Sequence, residues 1–169
     1  MRVCVLGLWH LGCVTAACLA RGGHEVIGID PDAAVIGRLQ QGEPPIFEPG
    51  LADLIAEGLA AGRLRFTANV ADALAGAHLV WVTFDTPVDE NDVPQVVAVV
   101  EPVKGFLPHV PDGCVVLVSA QLPVGTTRRF GLQWANLNDT DNSVGNGPRQ
   151  LLLSQCLLRI KAHGTRKER

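Results

Sequence analysis

The first 30 residues combine an apolar run, two spaced glycines and one acidic residue that closes a second apolar run. The first run ends at Gly7, Gly12 follows, and Asp30 comes directly after the run at 25–29. A glycine permits a tight turn from a strand into a helix, and the free amides of the first helical turn attract a pyrophosphate. A carboxylate about 20 residues further on accepts hydrogen bonds from ribose hydroxyls. This layout indicates a strand–helix–strand unit that binds a dinucleotide.

One position departs from that fingerprint. Trp9 stands where a second glycine normally lets the backbone approach the phosphates. We expect the indole to turn outwards and pack over the loop, which leaves the turn at Gly7 and the start of the helix available. The neighbouring His10 has two open interpretations, an acid or base and a side chain that packs beside the cofactor.

Runs of strand character alternate with helical patterns as far as residue 118. Strands are predicted at 2–6, 25–29, 64–66, 78–83 and 114–118, and helices at 11–21, 31–40, 51–61, 69–76 and 93–108. This alternation is typical of an α/β fold with a doubly wound, mainly parallel sheet. Ligands of such sheets bind beyond the carboxyl ends of the strands. The segments expected there are Gly7–Gly12, Asp30, Phe84–Pro87 and Ser119–Pro123.

Two helices carry more detailed predictions. The first is expected to bury one face, formed by Leu11, Val14, Ala17 and Cys18. The second is expected to begin at Pro31, so that Asp30 could act as its N-cap instead of a ribose ligand. Both interpretations of Asp30 remain open at this point, and they are compatible with each other.

Composition restricts the class of partner. The chain has 169 residues, of which 47% are hydrophobic, which is enough for a compact domain. A net charge of -3 gives no electrostatic reason to expect nucleic acid or an anionic membrane surface. No apolar run approaches the roughly 20 residues that span a bilayer, and no basic leader precedes the first strand. We therefore expect a cytoplasmic protein without nucleic-acid or membrane partners.

The five cysteines lack metal-ligand spacing, and no metal site is expected. We interpret them as small core residues, with a nucleophilic or metal-bound thiol as the alternative. They are Cys4, Cys13, Cys18, Cys114 and Cys156.

The character of the chain changes after Phe130. Residues 1–130 hold 8 basic and 14 acidic side chains, whereas residues 131–169 hold 6 and 3 and include a cluster of asparagines and glycines. We therefore predict a domain at residues 1–130 and a divergent, irregular, poorly ordered tail at residues 131–169.

Residues 1–130 resemble the N-terminal, NAD-binding domain of the UDP-glucose/GDP-mannose dehydrogenase family. The motifs that carry the resemblance are GLWHLGCVTAACLARGGHEVIGID, GEPPIFEPGL, AGRLRFT, VTFDTPVDE and SAQLPVGTTRR, in the family's order and spacing. The resemblance implies a Rossmann-like fold and NAD as cofactor. Members of the family oxidise the C6 alcohol of a nucleotide sugar to a carboxylate in two NAD-dependent steps, through a cysteine in their C-terminal part.

The resemblance also implies roles for individual positions. Residues at the first turn would carry the pyrophosphate, an acidic residue would hold the adenosine ribose, and two loops would flank the nicotinamide half. The cofactor-binding residues implied are Gly7, Leu11, Gly12, Asp30, Thr86, Pro87, Gln121 and Pro123. Because Pro31 and Asp32 follow Asp30 where an NADP site would have an arginine, NAD is expected rather than NADP.

Several positions differ from the family pattern. His10 stands where tyrosine is common, Val35 where a lysine often helps to bind the cofactor, and Gln121 where the family has a threonine. Glu48 could be catalytic or could order its irregular loop, and Thr86–Pro87 could be a solvated turn instead of a site.

The family's continuation is not recognisable beyond Phe130. The sugar-nucleotide loop, the dimerisation helix and the motif of the nucleophilic cysteine all lack a counterpart, and Cys156 lies in a different context. We expect a truncated or frameshifted product, monomeric or weakly associating, with most of the substrate site missing, no catalytic residues and no activity of its own. The alternatives are a dinucleotide-binding module without chemistry and a nonfunctional remnant.

Overall fold

The computed structural model describes residues 1–139, with side chains as far as Leu132. Five strands and six helices alternate along this part of the chain. The strands are β1 Arg2–Leu6, β2 Glu25–Ile29, β3 Leu64–Thr67, β4 Leu79–Val82 and β5 Val115–Val118. The helices are α1 His10–Arg21, α2 Ala33–Gln40, α3 Leu51–Ala60, α4 Val70–Leu74, α5 Val97–Phe106 and α6 Thr126–Asp139, and a 3₁₀ turn, Leu107–His109, follows α5.

All strand pairs are parallel, in the order β3-β2-β1-β4-β5. The order reverses direction between β1 and β4, which is where doubly wound sheets bind their ligands. The prediction of a doubly wound, mainly parallel sheet is confirmed.

Both faces of the sheet are buried, because successive side chains of a strand point to opposite faces. On one face Val3 and Val5 pack with residues of α1, α2 and α3. On the other, Cys4 and Leu6 pack with residues of α4, α5 and Phe130 of α6. The central strand β1 is apolar throughout its last four residues for this reason, and its carboxyl end is held rigidly by helices on both sides.

The buried face of α1 differs from the prediction. Leu11 is 41% exposed and Cys18 is exposed, whereas Ala17 is buried and Val14 is partly buried. The buried positions are the small residues Gly12, Cys13, Ala16, Ala17 and Ala20. The helix lies so close to the sheet that only small side chains fit between them, and this requirement overrides the pattern of larger apolar residues.

Helix α2 begins two residues later than predicted. Its N-cap is Asp32, whose Oδ1 accepts from the backbone N–H of Ala34 at 2.8 Å and of Val35 at 3.4 Å. The N-cap interpretation of Asp30 is therefore wrong, because a second carboxylate in the same loop performs that role.

The predicted tail lies mostly outside the described residues. Helix α6 runs from Thr126 through Phe130 to Asp139, so the prediction that the chain becomes irregular at residue 131 is wrong for residues 131–139. The rest of the predicted tail, including Cys156, lies outside the described residues. Within residues 1–139, no helix combines the length and apolar character that crossing a membrane requires.

Candidate cofactor site

The turn after β1 depends on Gly7. Its φ is +94°, a conformation that side chains rarely adopt, and its N–H donates to the carbonyl of Ile29 at 2.9 Å. A Cβ built at this position would lie 2.6 Å from the ring of Phe84, in the loop after β4. The first fingerprint glycine thus allows both the turn and the close approach of a second loop.

Gly12 brings α1 into direct contact with that turn. A Cβ at Gly12 would lie 1.8 Å from the carbonyl oxygen of Gly7 and 2.8 Å from Oγ1 of Thr83. The buried Thr83 hydroxyl lies 2.8 Å from the carbonyl oxygen of Gly7 and 3.1 Å from that of Leu6, with geometry to donate to them. The turn is therefore fixed from β4 as well as from its own helix.

Thr83 was not among the residues singled out from the sequence. The signal that could have revealed it is a threonine directly after the apolar run 79–82, at the carboxyl end of a strand. A buried hydroxyl needs a hydrogen-bond partner, and a threonine at the end of a strand can find one in the carbonyls at the end of the neighbouring strand. This position satisfies that condition.

The carboxylate of Asp30 lies beside the same turn. Its Oδ2 accepts from the backbone N–H of Leu8 at 2.7 Å, and its Oδ1 accepts from that of Asp32 at 3.0 Å. The two hydrogen bonds fix the orientation of the carboxylate at the carboxyl end of β2. Each carboxylate oxygen has more than one lone pair, so both can still accept from ribose hydroxyls.

The first turn of α1 has no capping side chain. Trp9 is the N-cap residue, it makes no side-chain hydrogen bond to the turn, and no acidic residue lies in the first turn. The indole is 50% exposed, in agreement with the expected outward orientation, and the φ of Trp9 is -92°, which any residue adopts. An uncapped first turn fits an anionic group, because its N–H groups carry the positive end of the helix dipole.

His10, the first residue of α1, makes a side-chain contact that the sequence did not predict. Its Nε2 lies 3.2 Å from Oε2 of Glu48, in the irregular segment between α2 and α3. Both side chains are about half exposed. Glu48 thus connects its loop to the first residue of α1, which agrees with the interpretation that it orders this loop.

A second pair of loops meets on the far side of the switch point. The hydroxyl of Thr86, after β4, donates to the carbonyl oxygen of Gln121, after β5, at 2.8 Å. Pro87 and Pro123, in the same two loops, are exposed. The structure therefore brings together all four segments that the sequence assigned to this edge, since Phe84 joins this pair to the turn at Gly7.

The buried cysteines are expected to be unreactive as nucleophiles. Burial raises the pKa of Cys4 and of Cys13 to about 12 and that of Cys114 to about 11, and the nearby charge of Asp30 adds to the effect on Cys13. These thiols stay protonated at neutral pH and are poor nucleophiles. Cys18 is exposed, so its interpretation as a core residue is wrong. Residues 1–139 contain no cluster of three potential metal ligands.

Thiol labelling is expected to separate Cys18 from the buried cysteines. In the variant Cys156→Ser, Ellman's reagent at pH 8 should label one thiol rapidly, and Cys4, Cys13 and Cys114 only after denaturation, because their thiolates are scarce and inaccessible. The double variant with Cys18→Ser should lose the rapid phase. Rapid labelling that persists there would contradict the buried assignments.

The parallel sheet, the glycine turn and the acidic residue after β2 define this chain as a Rossmann-type dinucleotide-binding domain. The family model of the UDP-glucose/GDP-mannose dehydrogenase family, NAD binding domain, matches residues 1–152. The chain therefore belongs to this family of NAD-dependent nucleotide-sugar dehydrogenases and contains its NAD-binding domain. The match continues beyond Phe130, where the resemblance was no longer recognisable from motifs.

Individual relatives agree with this assignment. UDP-glucose 6-dehydrogenase of Pseudomonas aeruginosa is 40% identical over 132 residues, which are 76% of this chain and 28% of the relative. GDP-mannose 6-dehydrogenase of Azotobacter vinelandii is 47% identical over 87 residues, 52% of this chain and 20% of that protein. The structure of a ternary complex of GDP-mannose dehydrogenase from Pseudomonas aeruginosa superposes with a TM-score of 0.74 at 27% identity, over 85% of this chain and 33% of that one. This chain thus spans about a third or less of these relatives.

Proposed function

We propose that the carboxyl edge of this sheet binds NAD through Gly7, Leu11, Gly12 and Asp30 on the adenosine side. The observation that carries the proposal is the uncapped first turn of α1 beside a carboxylate that backbone N–H groups already hold in place. The turn offers N–H donors to the pyrophosphate, and Asp30 offers acceptors to the ribose hydroxyls. The glycines keep side chains out of the space between them.

The loops after β4 and β5 would flank the nicotinamide half. Thr86 and Gln121 already join the two loops, and Pro87 and Pro123 limit their freedom at the exposed side. When bound, NAD supplies a hydride acceptor. The role of these loops would be to orient the ring, because each follows directly from a strand of the sheet, β4 or β5.

Cofactor titration tests this proposal directly. The 169-residue chain should bind NADH, detected by quenching of Trp fluorescence and by a rise in melting temperature. NADPH should bind at least about tenfold more weakly, because its 2′-phosphate would meet the carboxylates of Asp30 and Asp32. Equal affinity for the two would contradict the NAD preference, and no binding of either by a cooperatively folded chain would contradict the proposal.

The chain alone is expected not to oxidise nucleotide sugars. The family reaction proceeds through a cysteine thiol in a C-terminal part for which we recognise no counterpart, and the described thiols are mostly protonated and buried. Incubation with NAD and UDP-glucose or GDP-mannose should therefore give no rise in absorbance at the NADH band. NADH formation above buffer that disappears in Asp30→Ala would overturn this expectation.

The same measurements separate the alternatives. Binding without turnover corresponds to a dinucleotide-binding module. The buried apolar cores on both faces of the sheet support this alternative, because they are those of a folded domain. A chain without a cooperative melt corresponds to a remnant. We further propose that the chain is monomeric or weakly associating, which sedimentation velocity would test.

A further inference from the structure

One peptide group of the fingerprint turn, between Gly7 and Leu8, is held from both of its sides. Its carbonyl oxygen lies 2.8 Å from the hydroxyl of Thr83, which is fully buried. Its N–H, on Leu8, donates to Oδ2 of Asp30 at 2.7 Å. The carbonyl and the N–H of a trans peptide point in opposite directions. A residue directly after β4 and a residue directly after β2 therefore fix the same peptide plane from opposite sides.

The carbonyl of Gly7 is the main acceptor of the Thr83 hydroxyl. The carbonyl oxygen of Leu6 lies further away, at 3.1 Å, and already accepts from the backbone N–H of Thr83 at 2.8 Å. A hydroxyl has a single proton to donate, and its shorter contact is the one to Gly7. Because no part of Thr83 is exposed, water does not replace the donor when the hydroxyl is removed.

The turn needs this anchor because glycine restricts its own backbone so little. The φ of Gly7 is +94°, and a glycine accommodates several orientations of the peptide that follows it. Without a donor on its carbonyl, the peptide between Gly7 and Leu8 is free to rotate, and its N–H then turns away from Asp30. The carboxylate keeps only its second contact, the 3.0 Å hydrogen bond from the N–H of Asp32.

Resting on the proposed NAD site, we propose that Thr83 is a positioning residue that orients the carboxylate of Asp30 towards the adenosine ribose. Thr83 is fully buried, so it acts through the peptide between Gly7 and Leu8 and not by direct contact with the cofactor. Its hydrogen bond and that of Asp30 stabilise the same conformation of one peptide group, so the loss of either weakens the other.

A double-mutant cycle tests this coupling. The ligand is ADP-ribose, which keeps the adenosine and pyrophosphate of NAD, and calorimetric titration of the full chain gives its Kd. Thr83→Val keeps the shape of the side chain without its hydroxyl and should raise the Kd about fivefold to tenfold, the scale of one lost hydrogen bond. In an Asp30→Ala background the same substitution should change the Kd by less than about twofold, because the carboxylate that Thr83 orients is absent.

Two further variants separate positioning from general support of the fold. Thr83→Ser restores the donor and should bind ADP-ribose within about twofold of the parent. Thr126→Val is the matched control, because Thr126 is also buried but its hydroxyl accepts from Arg129, at 3.4 Å, and it should leave the Kd unchanged. Melting curves establish that each variant is folded, and Thr83→Ala takes the place of Thr83→Val in the cycle if the valine variant does not fold.

Hydrogen exchange of the Leu8 amide, measured by NMR, tests the same coupling without a ligand. Thr83→Val should speed this exchange about fivefold to tenfold, because the amide loses its fixed orientation towards Asp30. Thr83→Ser and Thr126→Val should exchange like the parent. The amide of the fully buried Ile27, in β2, reports opening of the whole domain and is the reference in each variant.

An unchanged Kd in folded Thr83→Val would overturn the proposal, and so would a loss that Thr83→Ser does not restore or that is undiminished in the Asp30→Ala background. Unchanged exchange of the Leu8 amide in Thr83→Val would overturn transmission through the peptide. If the folded parent binds no ADP-ribose, the proposed NAD site itself fails, and the exchange rates alone decide whether Thr83 holds the peptide against Asp30.

Discussion

Gly12→Ala is expected to lower the free energy of unfolding by about 3 kcal/mol, at the upper end of the cost of adding a methyl group to a packed interior. The added Cβ would lie 1.8 Å from the carbonyl oxygen of Gly7 and 2.8 Å from the hydroxyl of Thr83. Both are fixed, the first by the turn and the second by its hydrogen bonds, so α1 must move away from the sheet. Urea unfolding followed by circular dichroism measures the loss, and NADH binding should be lost with it.

Gly37→Ala is the matched control. Gly37 is also a helical glycine, but a Cβ there meets no atom within 4 Å. Alanine should stabilise α2 by roughly 0.5–1 kcal/mol, because glycine loses more backbone entropy in a helix. Similar stability changes in the two variants would show that the contact of α1 with the turn is not as close as described.

Asp30→Ala is expected to weaken NADH binding by about 1–3 kcal/mol, the scale for loss of a charge-assisted hydrogen bond. The variant removes the proposed acceptors for the ribose hydroxyls and the acceptor that orients the N–H of Leu8. Fluorescence titration at a fixed pH gives the affinity, and a melting curve shows whether the fold persists.

Asp32→Ala distinguishes cofactor binding from helix capping. This substitution removes the N-cap of α2 and should cost about 1 kcal/mol of stability, with a much smaller effect on NADH affinity. If Asp30→Ala remains folded and binds NADH as tightly as the parent, Asp30 only orders the loop.

Much of the site followed from local sequence patterns. The apolar runs and the turns between them predicted a parallel, doubly wound sheet, since parallel strands with both faces covered are apolar over their whole length. Once that topology is assumed, the segments after the first, second, fourth and fifth strands must meet at one edge. The join between Thr86 and Gln121 and the position of Asp30 agree with that reasoning.

The boundary of α2 shows where local patterns were insufficient. Asp30 and Asp32 are both acceptable N-caps by residue type, and the sequence alone favoured a helix that begins at Pro31. In the structure the carboxylate of Asp30 accepts from the N–H of Leu8 in the turn between β1 and α1, and Asp32 caps the helix. The choice depends on a contact between distant segments.

The sequence by itself determined the fold class, the order of the elements as far as β5, the family and which loops lie at the edge where we propose that NAD binds, because these follow from periodicity and from motifs with fixed spacing. The tertiary structure decided which face of α1 is buried, the closure of the turn by Thr83 and the pairing of His10 with Glu48. Each of these depends on the distance between segments far apart in the chain. The close approach at Gly12 selects small side chains beneath α1, and that distance is not encoded in any local pattern.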